Sequence, residues 1–278
     1  MERKDRDGSS GNTWSSDLVI VRDLVKKYFK KDPNPRLDET QDTVEANLGR
    51  GRSSGSMHPY HQNEDQGKGT VAVKGISFGV SQGECFALLG INGAGKTSTF
   101  KCLTAYDIPS GGYAMLDGAD VKGFYKKFDK MHGLVGYCPQ FNCIDPSLTV
   151  TTTLTYYAKI AGIRSDEIEA ATEDIIDKVC LQGYEDTYAG ELSGGNKRKL
   201  TLAMALIGRP RVIFVDEASA GVDPAARRTL WKAIKSEGAH SAVIVTTHTM
   251  EEAEELSTRL GIMVQGKLQC IGTLSHIR

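Results

Sequence analysis

Long hydrophobic runs are missing from this 278-residue sequence. The longest, such as "CFALLGI" and "VIFV", fall far short of the roughly 20 apolar residues that a membrane-crossing helix needs. The N-terminal "MERKDRDGSSGNTW" has no apolar signal core either, so the chain is not expected to span a membrane. An excess of charge is missing too. Lys and Arg number 34 against 35 Asp and Glu, and a net charge of -1 offers no global field for nucleic acid. The mean hydropathy of -0.31 is that of a soluble protein. Cysteines occur at 85, 102, 138, 143, 180 and 270 without a CxxC pair. Cys85, Cys102 and Cys180 sit in apolar patterns, which predicts reduced, packed thiols in a cytosolic setting. "HPYH" at 58–61 lies in a polar tract without further ligands and predicts no metal site. There is no internal repeat and no sustained heptad pattern, which excludes solenoids and long coiled coils.

What is present falls into ordered segments. Residues 1–17 read as a disordered polar tail, and "DLVIVRDLVKKY" after it as a strand. Residues 31–68 are rich in Gly, Ser, Asn, Asp and Pro and bury too little to offset their ordering entropy, so they read as a disordered insertion. "TVAVKGISFGVSQGECFALLG" gives two strands around a Gln82-Gly83 turn, "GGYAMLDGADVKG" a hairpin, and "HGLVGYCP" a short strand stopped by Pro139. Between 141 and 200 the pattern turns helical. Ile168, Ala171, Ile175 and Val179 share one face there, and Leu200, Ala203, Met204 and Ile207 form a later stripe. "RVIFVDEA", "SAVIVTTH" and "RLGIMVQGKLQCIGT" supply further strands alternating with helices. The fold class is therefore α/β: a mostly parallel core sheet, an antiparallel β subdomain and an inserted helical subdomain.

The chemistry concentrates at "GINGAGKTST", residues 90–99. Gly90, four residues, then Gly95, Lys96 and Thr97 satisfy the G-x-x-x-x-G-K-[ST] template, with a buried strand before and a helix after. Glycines at 90, 93 and 95 let backbone N–H groups close on an anion, so Gly90, Asn92, Gly93, Ala94, Gly95, Lys96, Thr97 and Ser98 form the expected phosphate cradle. The helix start adds its positive dipole end, Lys96 reaches the β and γ phosphates, and the Thr97 hydroxyl ligates Mg²⁺. "VIFVDEA" ends an apolar strand with Asp216, suited to hold Mg²⁺ through water, and with Glu217, a candidate for polarising the attacking water. "LSGGN" at 192–196 opens a second helix with Ser193, Gly194 and Gly195, a second anion-binding helix start.

Phosphate loop, "CPQF", "LSGGN", "FVDEA", "AGVDP" and "TTHTMEEAEEL", in that order, resemble the ATP-binding cassette of ABC transporters, over residues 18–30 and 69–278. "LSGGNKRKL" and "IMVQGKLQCIGTLSHIR" look most like the A subfamily, whose members move lipids. The resemblance implies that Tyr28 stacks on adenine, that Gln140 senses the γ-phosphate and Mg²⁺, that His248 contacts the γ-phosphate, and that Asp223 lines a junction between two cassettes. By residue type alone, Tyr28 reads equally as an edge-strand residue, Gln140 as a solvated loop residue and His248 as a core histidine. Two features depart from the family pattern: Ala218 stands where proline usually follows the acidic pair, and 31–68 is inserted. The implied activity is hydrolysis of ATP by two cassettes facing head to tail around two nucleotides. The implied partners are that second cassette and the transmembrane domains of a transporter, on the cytoplasmic face of a membrane, with no nucleic acid. The rivals are a soluble ABC ATPase acting on ribosomes or DNA, and a degenerate binding-only cassette, which intact Lys96, Glu217 and His248 oppose.

Overall fold

The computed structural model describes residues 17–29, 69–124 and 133–277. The segment 31–68 and the tail as far as residue 16 lie outside the described residues. The chain divides into two units, Met1–Lys26 with Ala72–Arg278, and Lys27–Val71. The strands are β1 (Asp17–Tyr28), β2 (Thr70–Ser81), β3 (Cys85–Leu89), β4 (Gly111–Leu116), β5 (Ala119–Asp120), β6 (Val135–Cys138), β7 (Val212–Asp216), β8 (Ala242–Thr247), β9 (Arg259–Val264) and β10 (Lys267–Thr273). The helices that matter below are α1 (Lys96–Leu103), α2 (Val150–Ile160), α3 (Ile168–Lys178), α4 (Gly194–Leu206), α5 (Pro224–Gly238) and α6 (Met250–Leu256). β1 covers the expected strand "DLVIVRDLVKKY" end to end, and the Ser81 hydroxyl donates to the Asp17 carboxylate at its start.

The sheet that carries the chemistry has the order β10-β9-β3-β8-β7-β6. β9, β3, β8, β7 and β6 run parallel to their neighbours, and β10 closes one edge antiparallel to β9. Its inner strands β3, β7 and β8 are apolar on both faces, as a covered parallel sheet requires. Cys85, Ala87, Ile213, Val215, Val243 and Val245 face the cluster built with α2, α3, α4, α5 and α6. Phe86, Leu88, Val212, Phe214, Ala242 and Ile244 face the cluster built with α1 and the antiparallel sheet β2-β1-β4-β5. There Phe78 stacks on Phe86 at 5.0 Å and Phe100 meets Phe214 edge-on at 5.3 Å. Each such fully buried ring contributes on the order of 1.5–3 kcal/mol. The period-2 alternation thus fixes which way each strand faces, and with it where the strand ends deliver their last side chains.

The helix starts obey local rules. Thr149 caps α2 by accepting from the Thr152 amide, and Asp223 caps α5 from both Ala225 and Ala226, with Pro224 in the first turn. On α3, Ile168, Ile175 and Val179 are buried at the expected spacing, but Ala171 is only half-buried and Thr172 takes the core-facing place beside Ile176. On α4, Leu200, Ala203 and Ile207 are buried, Met204 is half-buried, and Leu202, Ala205 and Leu206 are buried as well. That helix is enclosed on most sides rather than along one stripe. Of the cysteines expected in the core, Cys85 and Cys102 are buried, and burial pushes both thiols up to about 12. Cys180 is exposed instead, because a left-handed φ of 51° just past α3 turns it out of the helical pattern.

Candidate functional site

The phosphate loop leaves the C-terminal end of β3 and is pinned at once, since the Gly90 amide donates to the Thr247 carbonyl at 3.1 Å. Two glycines are obligatory there. A Cβ on Gly90 would stand 2.5 Å from the Met263 carbonyl oxygen. A Cβ on Gly95 would stand 2.5 Å from the Ala72 carbonyl oxygen, and Gly95 also adopts φ 106°. Gly95 is the N-cap of α1 and offers no side chain to its first turn, which holds no acid. The leading amides of α1 therefore point out of the helix as donors, the arrangement that receives an anion. Asn92, Gly93 and Thr97 are exposed along the loop, Ser98 is half-buried, and Ala94 is buried.

Lys96 folds back over this loop and is almost fully buried, at 4% exposure. Its ammonium donates to the carbonyls of Gly90 at 2.7 Å and Ile91 at 3.3 Å, and pairs with Glu217 Oε1 at 3.2 Å. Asp216 and Glu217 follow from the end of β7. Asp216 accepts from the Thr246 hydroxyl of the neighbouring β8. Burial raises its carboxyl above the ordinary value. The Glu217 charge adds to that rise, while the Thr246 and Thr97 hydroxyls and the Lys96 charge work against it. Glu217 adopts a left-handed φ of 44°, unusual for a residue with a Cβ. Its amide donates to the Thr246 carbonyl at 3.2 Å and hydroxyl at 3.1 Å. Its second carboxylate oxygen accepts from the Gln140 amide at 3.1 Å and lies 3.5 Å from His248 Nδ1.

Four residues named from scattered stretches of sequence thus meet at one carboxylate: Lys96, Gln140 and His248 all contact Glu217. His248 is no core histidine, since it is exposed just beyond β8. Ser193 caps α4 by accepting from the Asn196 amide at 3.3 Å, with Gly194 open to solvent. Asp223 is the α5 cap, and its carboxylate sits where a Cβ on Gly195 would come within 3.1 Å. Backbone amides, Ala226 foremost, hold the Asp223 carboxyl below the ordinary value. No hydrogen bond or ion pair joins Ser193, Gly194, Gly195 or Asp223 to the phosphate loop among the described residues. Tyr28 is half-buried at the end of β1. Two residues that sequence reasoning passed over belong to the site. Thr246 serves both acids and was signalled only by lying two positions before His248. Arg198, five residues beyond Ser193, donates to the Asp216 carbonyl at 3.0 Å.

The ABC transporter family profile matches residues 73–220, more than half of the chain. The chain belongs to the ABC transporter family. The cassette is 46% identical to the retinal-specific phospholipid-transporting ATPase ABCA4 of Bos taurus over 215 residues, 76% of this chain and 9% of that protein. It is 45% identical to the glucosylceramide transporter ABCA12 of Homo sapiens, over 76% of this chain and 8% of that protein. It is 43% identical to ABC transporter A family member 5 of Arabidopsis thaliana, over 75% of this chain and 22% of that protein. The cassette therefore spans a tenth or less of the two animal relatives and under a quarter of the plant one. These relatives place it with the A subfamily and lend no support to a soluble protein of ribosomes or DNA. Among solved structures, the ATP-binding subunit of an ABC transporter superposes with a TM-score of 0.72 at 22% identity, covering 94% of this chain and 92% of that one. The dimeric bacterial cassette MJ0796 gives 0.72 at 16% identity over 92% and 99%. The fold is that of a P-loop ATPase cassette, and the cassette is an ATPase.

The donor set beside the loop suits Mg²⁺. The Thr97 hydroxyl, the Asp216 carboxylate and the Gln140 amide oxygen are hard oxygen donors. Among the described residues no cluster of three or more His, Cys, Asp or Glu could cage a metal by itself.

Proposed function

We propose that the cassette is the motor domain of a lipid-moving transporter, working as one of two cassettes closed head to tail around two ATP molecules. Tyr28 stacks on adenine, and the loop from Gly90 to Ser98 together with Lys96 holds the phosphates. Thr97, Gln140 and Asp216 hold Mg²⁺, which when bound neutralises charge developing on the phosphates. Ser193, Gly194 and Gly195 close on the nucleotide of the facing cassette, with Asp223 at the junction. Attachment to the cytoplasmic face of a membrane runs through transmembrane domains, since among the described residues no helix is long and apolar enough to cross one.

The observation that carries this reading is the convergence of Lys96, Gln140 and His248 on Glu217. A lysine ammonium has three donors. Two of those on Lys96 serve the Gly90 and Ile91 carbonyls, and the third meets Glu217. A γ-phosphate oxygen takes over that third donor, which releases Glu217 to orient the attacking water while His248, beside Glu217, contacts the γ-phosphate. Binding and chemistry then separate at one atom. Glu217→Gln is expected to retain ATP and lose turnover, so that an ATP-bound dimer accumulates in size-exclusion chromatography. Hydrolysis by that variant near the wild-type rate would sink the assignment.

A further inference from the structure

We propose that Arg198 is a positioning residue of the hydrolytic site, holding the peptide planes that lead into Glu217 and Gln140. The proposal rests on the reading of Glu217 as the group that orients water.

Arg198 lies in the second turn of α4, five residues past Ser193, and is 4% exposed. Its planar guanidinium carries five N–H donors in a fixed fork. Nε donates to the Ala218 carbonyl at 2.7 Å, Nη2 to the Asp216 carbonyl at 3.0 Å, and Nη1 to the Pro139 carbonyl. All three partners are backbone oxygens rather than carboxylates. Withdrawing a charge from water without an ion-pair partner is costly, so charge neutralisation does not explain the placement.

The identity of the carbonyls does. The Asp216 oxygen and the Glu217 amide belong to one peptide plane, which Arg198 grips at its oxygen and Thr246 at its nitrogen. The Ala218 oxygen fixes the chain where it leaves the strained φ of Glu217. The Pro139 oxygen lies in the plane that enters Gln140, the residue donating to the Glu217 carboxylate. A single rigid fork thus sets the approach of both the carboxylate and its amide donor. It also joins them to the helix that Ser193 begins.

The test uses the whole chain and four variants: Arg198→Gln, Arg198→Lys, Glu217→Gln and the double variant Arg198→Gln/Glu217→Gln. Phosphate release gives kcat and KM, and calorimetric titration gives ATP affinity. In Arg198→Gln, affinity and KM are expected to stay within about twofold, while kcat falls about 10- to 100-fold, as misplacement by an ångström does. Arg198→Lys keeps the charge and reaches one carbonyl, so it recovers part of the loss. In single-turnover assays run over hours, Arg198→Gln adds nothing to the defect of Glu217→Gln, because residues that act through one another are not additive. The proposal is overturned by unchanged kcat, by loss of ATP affinity in proportion to kcat, or by full additivity with Glu217→Gln. If Arg198→Gln does not fold, the kcat and affinity of Arg198→Lys decide alone. Wild-type turnover by Glu217→Gln would instead fault the assignment of Glu217.

Discussion

Gly93 and Gly95 stand two positions apart in the phosphate loop and face opposite demands. Gly93 has φ 81° and open space for 4 Å around the point where a methyl group would stand, whereas Gly95 at φ 106° has the Ala72 carbonyl oxygen at 2.5 Å and Met263 Cε at 2.7 Å. Gly93→Ala is therefore expected to cost only the left-handed penalty of about 1–2 kcal/mol. Gly95→Ala should add overpacking of about 1–3 kcal/mol to the same penalty. Urea unfolding of the two variants checks the order, and equal midpoints would mean that the loop relaxes around the extra carbon. The same scale explains the placement of Glu217. Its backbone strain is opposed by hydrogen bonds from both sides, through Thr246 and Arg198. A residue held this way keeps its carboxylate aimed without help from its own rotamer preferences.

Elements bring the residues together, and their ends do most of the chemistry. β3, β7 and β8 run parallel, so their C-terminal ends lie side by side and deliver Gly90, Asp216 with Glu217, and His248 to one edge of the sheet. Parallel sheets place ligands at that edge for this reason. Helix α5 shows how an element end is secured. Asp223 accepts from two amides of its first turn, which lowers its carboxyl below the 3.8 of an ordinary aspartate. A depressed pKa contributes stability that is present above 3.8 and is lost as pH falls through the lower folded value. Asp223→Ala should accordingly melt below wild type at neutral pH, with the gap narrowing as pH drops under that point. Thermal melts from pH 7 to pH 2.5 read it directly, and a gap that does not change with pH would deny the carboxylate its capping role.

At the scale of the whole molecule, the helix starts at Gly95 and Ser193 belong to helices packed in separate hydrophobic clusters, and no hydrogen bond or ion pair joins them among the described residues. On the proposed function, a second cassette brings one of each to the same phosphate. Lys96→Met and Ser193→Arg should each abolish phosphate release, and their mixture should recover it, since a mixed dimer contains one intact site. Activity should also rise more steeply than protein concentration while dimers are scarce. A linear wild-type rate with no recovery on mixing would leave the composite site unsupported for pairs of this chain. Much of this was legible in the sequence because the motifs are local. The loop template, the acids closing an apolar strand and the capped "LSGG" each need only neighbours in the chain. Gln140 and His248 were named by motif order alone, and their meeting with Glu217 depended on strand order, which no local pattern encodes. Tertiary packing alone decided the roles of Thr246 and Arg198, the turn of Cys180 to solvent and the replacement of Ala171 by Thr172 in the core. Each depends on which surface of a neighbouring element arrives, and a chain position carries that information only after the sheet has been assembled.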